Sequence, residues 1–225
     1  MAQQLRAIRT RGAILDAAAE VFAQHGYHGA SIAQILEKAQ VTRGALYFHF
    51  TSKEQLVQGI FAQQVTEQGY PPRTYKLQEL VDEAMALACR LPQEIMLRAG
   101  AKLAMEPGLQ ELADGGPWEA WAQRFASMVD AAKRHGEVYP HVVPGDLGRF
   151  LVSSWIGAQV VSEVTSDWTD LEGRISSIFA YTLPSVALPA IFAQLDFGPD
   201  RGTRVLAEMR AADQEGSELV AGQAG

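Results

Sequence analysis

Residues 31–53 read SIAQILEKAQVTRGALYFHFTSK, and this stretch decides the fold. Ser31 is placed as a helix N-cap, and Gln34, three residues on, completes a capping box. Ile32, Ile35, Leu36 and Ala39 supply the apolar face of a short helix. Thr42 caps a second helix of barely two turns that runs through Phe48. Two short helices joined this closely make a helix-turn-helix, whose second helix enters the major groove with its N-terminal end leading. That helix needs small residues for close approach, and Gly44 and Ala45 supply them. It needs groups that reach phosphates and base edges, and Thr42, Arg43, Tyr47 and His49 offer them. Val41, Leu46 and Phe50 anchor it from behind. Lys53 opens the next helix, where free N–H groups and the dipole attract a phosphate, and Ser31 is placed to act the same way at its own cap.

The chain stays helical on both sides of this stretch. Upstream, Ile14, Leu15, Ala18, Val21 and Phe22 line one helical face, and Gly26 is expected to end that helix. Arg6, Arg9 and Arg11 precede it, within reach of the phosphate backbone or a minor groove. Downstream, Ser52 caps a helix with Leu56, Val57, Ile60, Phe61 and Val65 on its apolar side, stopped by Gly69 to Pro72. Further apolar periodicities cover 77–91, 95–105, the stretch after Pro117, 146–164, 171–183 and 201–209. Pro184 and Pro189 must bend or break the helix that begins near Leu171. The tail from Ala211 is small and polar and is expected to fray. No strand pattern and no repeat is found. The expected fold is all-α, with nine or ten helices: a three-helix helix-turn-helix head over 1–53, a helical ligand-binding and dimerisation domain over 54–210, and a flexible tail over 211–225.

The 225 residues carry a net charge of −7, which by itself argues against a nucleic-acid partner. The charge is unevenly distributed. Residues 1–53 hold six Lys or Arg against three acids, a net +3, and the remainder holds 13 against 23, a net −10. A basic head can meet phosphates while an acidic body keeps the protein in solution. No apolar run is long enough to cross a bilayer, and the first residues lack the apolar centre of a secretion signal, so a cytoplasmic protein is expected. A single cysteine, Cys89, excludes an internal disulfide and fits a reducing compartment. It reads as an inert buried thiol.

Other chemistries find no support in the sequence. There is no glycine-rich phosphate loop, no Gly-x-Ser-x-Gly elbow and no His-Glu-x-x-His pair, so no enzyme is expected. His25, His28 and His49 lack zinc spacing, and neither metal nor cofactor is expected. A purely architectural DNA binder remains open, although a large acidic body makes it a wasteful design. A structural protein would ignore small effectors, whereas a repressor would bind one and return it unchanged.

Ala17 to Phe22, Gly26-Tyr27, Ser31-Ile32, Val41 to Phe50 and Ser52 to Leu56 fall in the order and spacing of the TetR family of one-component repressors, which the chain resembles over about fifty residues. Gly44 to Phe50 and Pro117 to Trp121 look more narrowly like the γ-butyrolactone autoregulator receptors of filamentous actinobacteria, which are also acidic. The resemblance implies a homodimer on a pseudo-palindromic double-stranded DNA operator, with the helices at about 146–165 and 171–195 paired as a four-helix bundle. It also implies release by a small hydrophobic effector, a γ-butyrolactone or, alternatively, another hydrophobic compound such as an antibiotic or its intermediate. By position, Trp121 matches the tryptophan that covers the lactone ring, Gln64 a polar pocket residue late in helix 4, and Ala158-Gln159 a stretch that often holds threonine. Met85, Met96, Met105, Met128 and Trp155 are suited to line an alkyl chain, since methionine adapts its shape. One departure stands out. The family usually has glycine between the two motif helices, and here Gln40 must adopt positive φ at a cost on the order of 1 kcal/mol.

Overall fold

The structure is a computed structural model that describes residues 2–65, 69–113 and 116–223. Those residues form eleven α-helices and a 3-10 turn at Gln110–Ala113, with no strand beyond one isolated antiparallel bridge between Val138 and Ala187. The chain is all-α. It divides into two compact units, Met1–Thr66 with Leu91–Ala120, and Glu67–Arg90 with Trp121–Gly225.

The first unit is built on α1 (Ala2–Gly29), α2 (Ile32–Ala39), α3 (Arg43–His49), α4 (Lys53–Phe61) and α6 (Ile95–Ala104). Ile14, Ala18, Ala19 and Phe22 of α1 are sealed from solvent, and so are Ile35, Leu46, Leu56, Ile60, Ala99 and Leu103 from the other four helices. Leu109 and the partly buried Trp118 extend the same core. The expected boundary at residue 53 therefore does not coincide with a packing boundary: α4 and α6 close the core that the motif helices stand on.

Three details differ from the sequence reading. First, α1 starts at Ala2, so Arg6, Arg9 and Arg11 ride on the helix rather than preceding it. Residues 2–11 are mostly Ala, Gln, Leu and Arg, all strong helix formers. Gly26 interrupts α1 with φ 68 and ψ 178, and a further turn continues to Gly29. Second, α4 stops at Phe61, and Gln63 and Gln64 continue in tight turns to the carbonyls of Ile60 and Phe61 at 3.0 Å each. Gln64 thus lies past the helix rather than late in it. Third, the last helix does not end near residue 210, since α11 runs Arg201–Gln223. Its Ala, Glu, Gln and Leu content sustains the helix where small polar residues suggested fraying.

The second unit holds α5 (Lys76–Arg90), most of α7 (Gly116–Arg134), α8 (Pro144–Ser166), α9 (Leu171–Val186), α10 (Pro189–Phe192) and α11. Pro184 is accommodated in the last turn of α9, and the break comes at Ala187 and Leu188. The N-terminus of α5 is capped from a distance. The buried carboxylate of Glu137 accepts from Lys76 N at 2.8 Å and Leu77 N at 2.9 Å, satisfying two donors that the helix itself cannot. α8 presses onto α7 at Gly148, where a Cβ would lie 2.5 Å from Ala122 O.

Candidate functional site

The motif helices are fixed by their caps. Ser31 Oγ accepts from Gln34 N at 3.3 Å, and the Gln34 side chain accepts from Ser31 N at 2.8 Å, closing the box. Thr42 Oγ1 accepts from Ala45 N at 3.2 Å and starts α3. Between them Gln40 holds φ 52 and ψ 41, the left-handed turn that the family resemblance implied. Leu46 and Phe50 are buried behind α3. With that side pinned, Thr42, Arg43, Gly44, Tyr47 and Phe48 are left exposed, and Ala45 and His49 half-buried. The Arg43 guanidinium lies 5.6 Å from the Tyr47 ring centre, a contact that steadies the cation without consuming its hydrogen-bond donors. Phe48 is 80% exposed, and the sequence reading did not place it on this face. Its spacing from Gly44, one helical turn, is the signal that puts it there.

Lys53 departs from the expected outward role. Its ammonium donates to Ala30 O at 2.6 Å and sits 4.3 Å from the centre of the Tyr27 ring. Burial pushes its pKa down. A charge-assisted hydrogen bond and an aromatic face together draw the cation inward. Arg11 is likewise stacked, 4.9 Å above Phe50. Beside Lys53, the Tyr27 hydroxyl donates to Glu54 Oε1 at 2.6 Å. That bond, helped by Ser52, pulls the Glu54 carboxyl down to about 2. Burial and the same carboxylate push Tyr27 up to about 12.

The residues expected around an effector fall in both units. Gln64 belongs to the first unit, where its amide donates to Ile60 O at 3.2 Å and Met96 O at 2.9 Å. It packs over Gly100, where a Cβ would come within 2.1 Å of it. The other five lie in the second unit. Met85 is sealed in α5. Trp155 and Gln159 are buried on one stripe of α8 with Gly148, Leu151, Val152 and Ser162. Trp121 is half-buried on α7, its ring 5.7 Å from that of Phe125. Met128, two turns further along α7, lines a cleft of about 320 Å³.

The rest of that cleft comes from Gly69 to Pro72, from Lys76, Glu79 and Glu83 of α5, and from Arg124 of α7. Glu83 is almost fully buried and is gripped by Arg124 through Nε and, at 2.8 Å, through Nη2. Lys76 pairs with Glu79 at 2.7 Å. Sequence reasoning missed these charged walls. Lys76, Glu79 and Glu83 do share a helical face by spacing, but their pairing with Arg124 forms only when α5 and α7 meet. Among the described residues no cluster of metal-ligating side chains is found, and no helix is long and apolar enough to cross a membrane.

Residues 14–60 match the profile of the tetR family of bacterial regulatory proteins. The chain is 39% identical to the A-factor receptor protein of Streptomyces griseus over 87% of its own length and 70% of that protein. Its fold is similar to that of full-length TylP, a TetR regulator from Streptomyces fradiae, with a TM-score of 0.81, 36% identity and coverage of 92% of this chain and 93% of that one. It is also similar to a γ-butyrolactone receptor described as ArpA-like, with a TM-score of 0.67 and 26% identity, covering 90% of this chain and 99% of that one.

Proposed function

The chain belongs to the TetR family of bacterial transcriptional repressors, and from that premise we propose that it binds a pseudo-palindromic operator as a homodimer and is released by a γ-butyrolactone-like signal. The observation that carries the DNA half is α3 itself. Its cap and buried side are fixed, and it presents Thr42, Arg43, Gly44 and Tyr47 to solvent. In the complex, Arg43 forks onto a guanine edge or a phosphate, and Gly44 and Ala45 allow close approach. Ser31, Thr42, Tyr47 and His49 meet the backbone. Lys53 serves by fixing the start of α4, where backbone N–H groups face a phosphate. The acidic body adds no attraction for DNA, so affinity is confined to the head.

The dimer half rests on unpartnered faces of α8 and α9. Phe150, Ser153, Gly157, Val161 and Val164 recur at coiled-coil spacing, and Val164 is 80% exposed. On α9, Gly173, Ser177 and Tyr181 lie similarly open, with Tyr181 at 88%. Paired across a two-fold axis these stripes make a four-helix bundle. Effector and operator are then linked: whatever factor the effector takes from DNA affinity, DNA takes from effector affinity.

The likeness to a γ-butyrolactone receptor supports a lactone effector, and the proposed role is that of a cytoplasmic regulator of antibiotic production. A second reading, an antibiotic or its intermediate as effector, is favoured by the four charged side chains that line the cleft beside Met128. The test has two stages. Selection from a random DNA library should enrich a palindrome; failure to enrich any sequence sinks the repressor. Synthetic alkanoyl γ-butyrolactones should then release that operator. If they do not, but a culture extract does, the second reading replaces the first, and mass spectrometry of the retained compound names its class.

A further inference from the structure

The positive charge of the head does not sit on its recognition helix. Residues 1–15 hold Arg6, Arg9 and Arg11 and no acid, whereas residues 16–53 balance Lys38, Arg43 and Lys53 against Asp16, Glu20 and Glu37. The whole net charge of the head therefore lies in the first turns of α1. Two of the three later cations are already engaged. Lys38 pairs with Glu20, and Lys53 donates to Ala30 O at 2.6 Å. Of these three, Arg43 alone is left to face a duplex, which is little attraction for so dense a row of phosphates.

The first turns of α1 have the features of a surface that meets a partner. Ile14 is the first buried residue among those described, so the turns before it stand clear of the core. Leu5, Ile8, Arg9 and Gly12 follow the i, i+3, i+4, i+7 spacing of one helical face. Leu5 is 56% and Ile8 61% exposed. Arg6 and Arg9 are exposed as well, and no acid falls within one turn of either. Arg11 lies 4.9 Å over the ring of Phe50, the C-cap of α3, and marks where these turns leave the core. When the N-terminus of α3 leads into the groove, this is the trailing end, nearer the phosphate backbone. A second copy of α1 would repel this face, since it brings the same three arginines, whereas a duplex brings the opposite charge.

Resting on the operator reading above, we infer that the free turns of α1 form a second DNA-contacting surface. Arg6 and Arg9 pair with phosphates beyond the base pairs that α3 reads, and Leu5 and Ile8 close on the apolar edges of the deoxyriboses between them. The labour is divided: α3 selects the sequence, and α1 supplies the charge attraction that is blind to it.

The experiment uses the full-length protein and the operator enriched from the random library. The logarithm of the binding constant is followed against the logarithm of salt concentration for wild type and for Arg6→Gln combined with Arg9→Gln. Each of two heads loses two phosphate contacts, so the slope for the variant should be flatter by about 3–4, with its preference for operator over scrambled duplex unchanged. Circular dichroism should show the helices retained, because both side chains are exposed. Trimming the operator duplex to the base pairs under α3 gives a second readout on wild type itself. The wild-type slope should flatten by a similar amount, and the slope for the variant should not move. A slope that the double variant leaves as it was, or that trimming leaves as it was, overturns the inference while the repressor reading stands. Loss of the preference for operator in the variant overturns it too, since the arginines would then read bases. Binding of wild type but not the variant to phosphatidylserine vesicles, with the DNA slope unchanged, would give the surface to a membrane instead. If no sequence is enriched at all, both readings fall.

Discussion

Gln40, between α2 and α3, sits in the left-handed region at φ 52. A side chain with a Cβ is disfavoured there, and glycine is not. Gln40→Gly should therefore stabilise the first unit by about 0.5–1 kcal/mol despite the looser unfolded chain, read as a rise of a few degrees in its melting temperature. A lower melting temperature would mean that the glutamine side chain makes a contact worth more than the strain. Arg43 and Tyr47 belong to the same scale. Both are exposed, and each touches the other through a cation–π contact rather than the core. Arg43→Ala and Tyr47→Ala should each weaken operator binding roughly tenfold or more, with helicity and dimerisation unchanged by circular dichroism and sedimentation.

Among the elements, the turn after the α1 kink is latched to the start of α4 by Tyr27 and Glu54. The Glu54 carboxyl ionises at about 2 in the fold, against an ordinary 4.5. Its contribution is thus complete above about 4.5 and is lost as pH falls toward about 2. Tyr27→Phe removes the main cause of that depression. The acid-unfolding midpoint should move to higher pH, while stability at pH ~7 drops by only about 1 kcal/mol for an exposed bond. A second latch ties α5 to α11. Buried Asp82 accepts from Arg201 Nε at 2.7 Å and Nη2 at 2.6 Å, from Arg73 Nε at 2.6 Å and from Gln78 Nε2 at 2.7 Å. Asp82→Ala would leave the Arg201 guanidinium buried without its main counter-charge. A loss of about 3–5 kcal/mol in urea unfolding is expected, whereas Asp82→Leu with Arg201→Met should recover much of it. Equal losses from the single and double variants would show that packing, not charge, holds the latch.

At the scale of the whole molecule, the open stripes of α8 and α9 are the proposed dimer interface. Val161→Glu combined with Val164→Glu places like charges across the proposed two-fold axis. The protein should sediment as a folded monomer and bind a full palindrome about a hundredfold more weakly, because the second half-site is no longer reached intramolecularly. A dimer that survives both substitutions would move the interface elsewhere.

Local chemistry was enough to read the motif from the sequence alone. Ser31, Gln34 and Thr42 cap by bonds that span three residues, and the burial of Leu46 comes from spacing, so no distant partner had to be known; the strain at Gln40 was legible only from the family resemblance. The helical character of the remainder was legible for the same reason. Tertiary structure alone decided that Lys53 turns inward to Ala30 and Tyr27, that Glu137 caps α5, and that Arg124 grips Glu83 across the cleft. Each of these depends on which groups meet across tens of residues once apolar faces are buried, and the pattern along one helix does not specify what its neighbour brings to it.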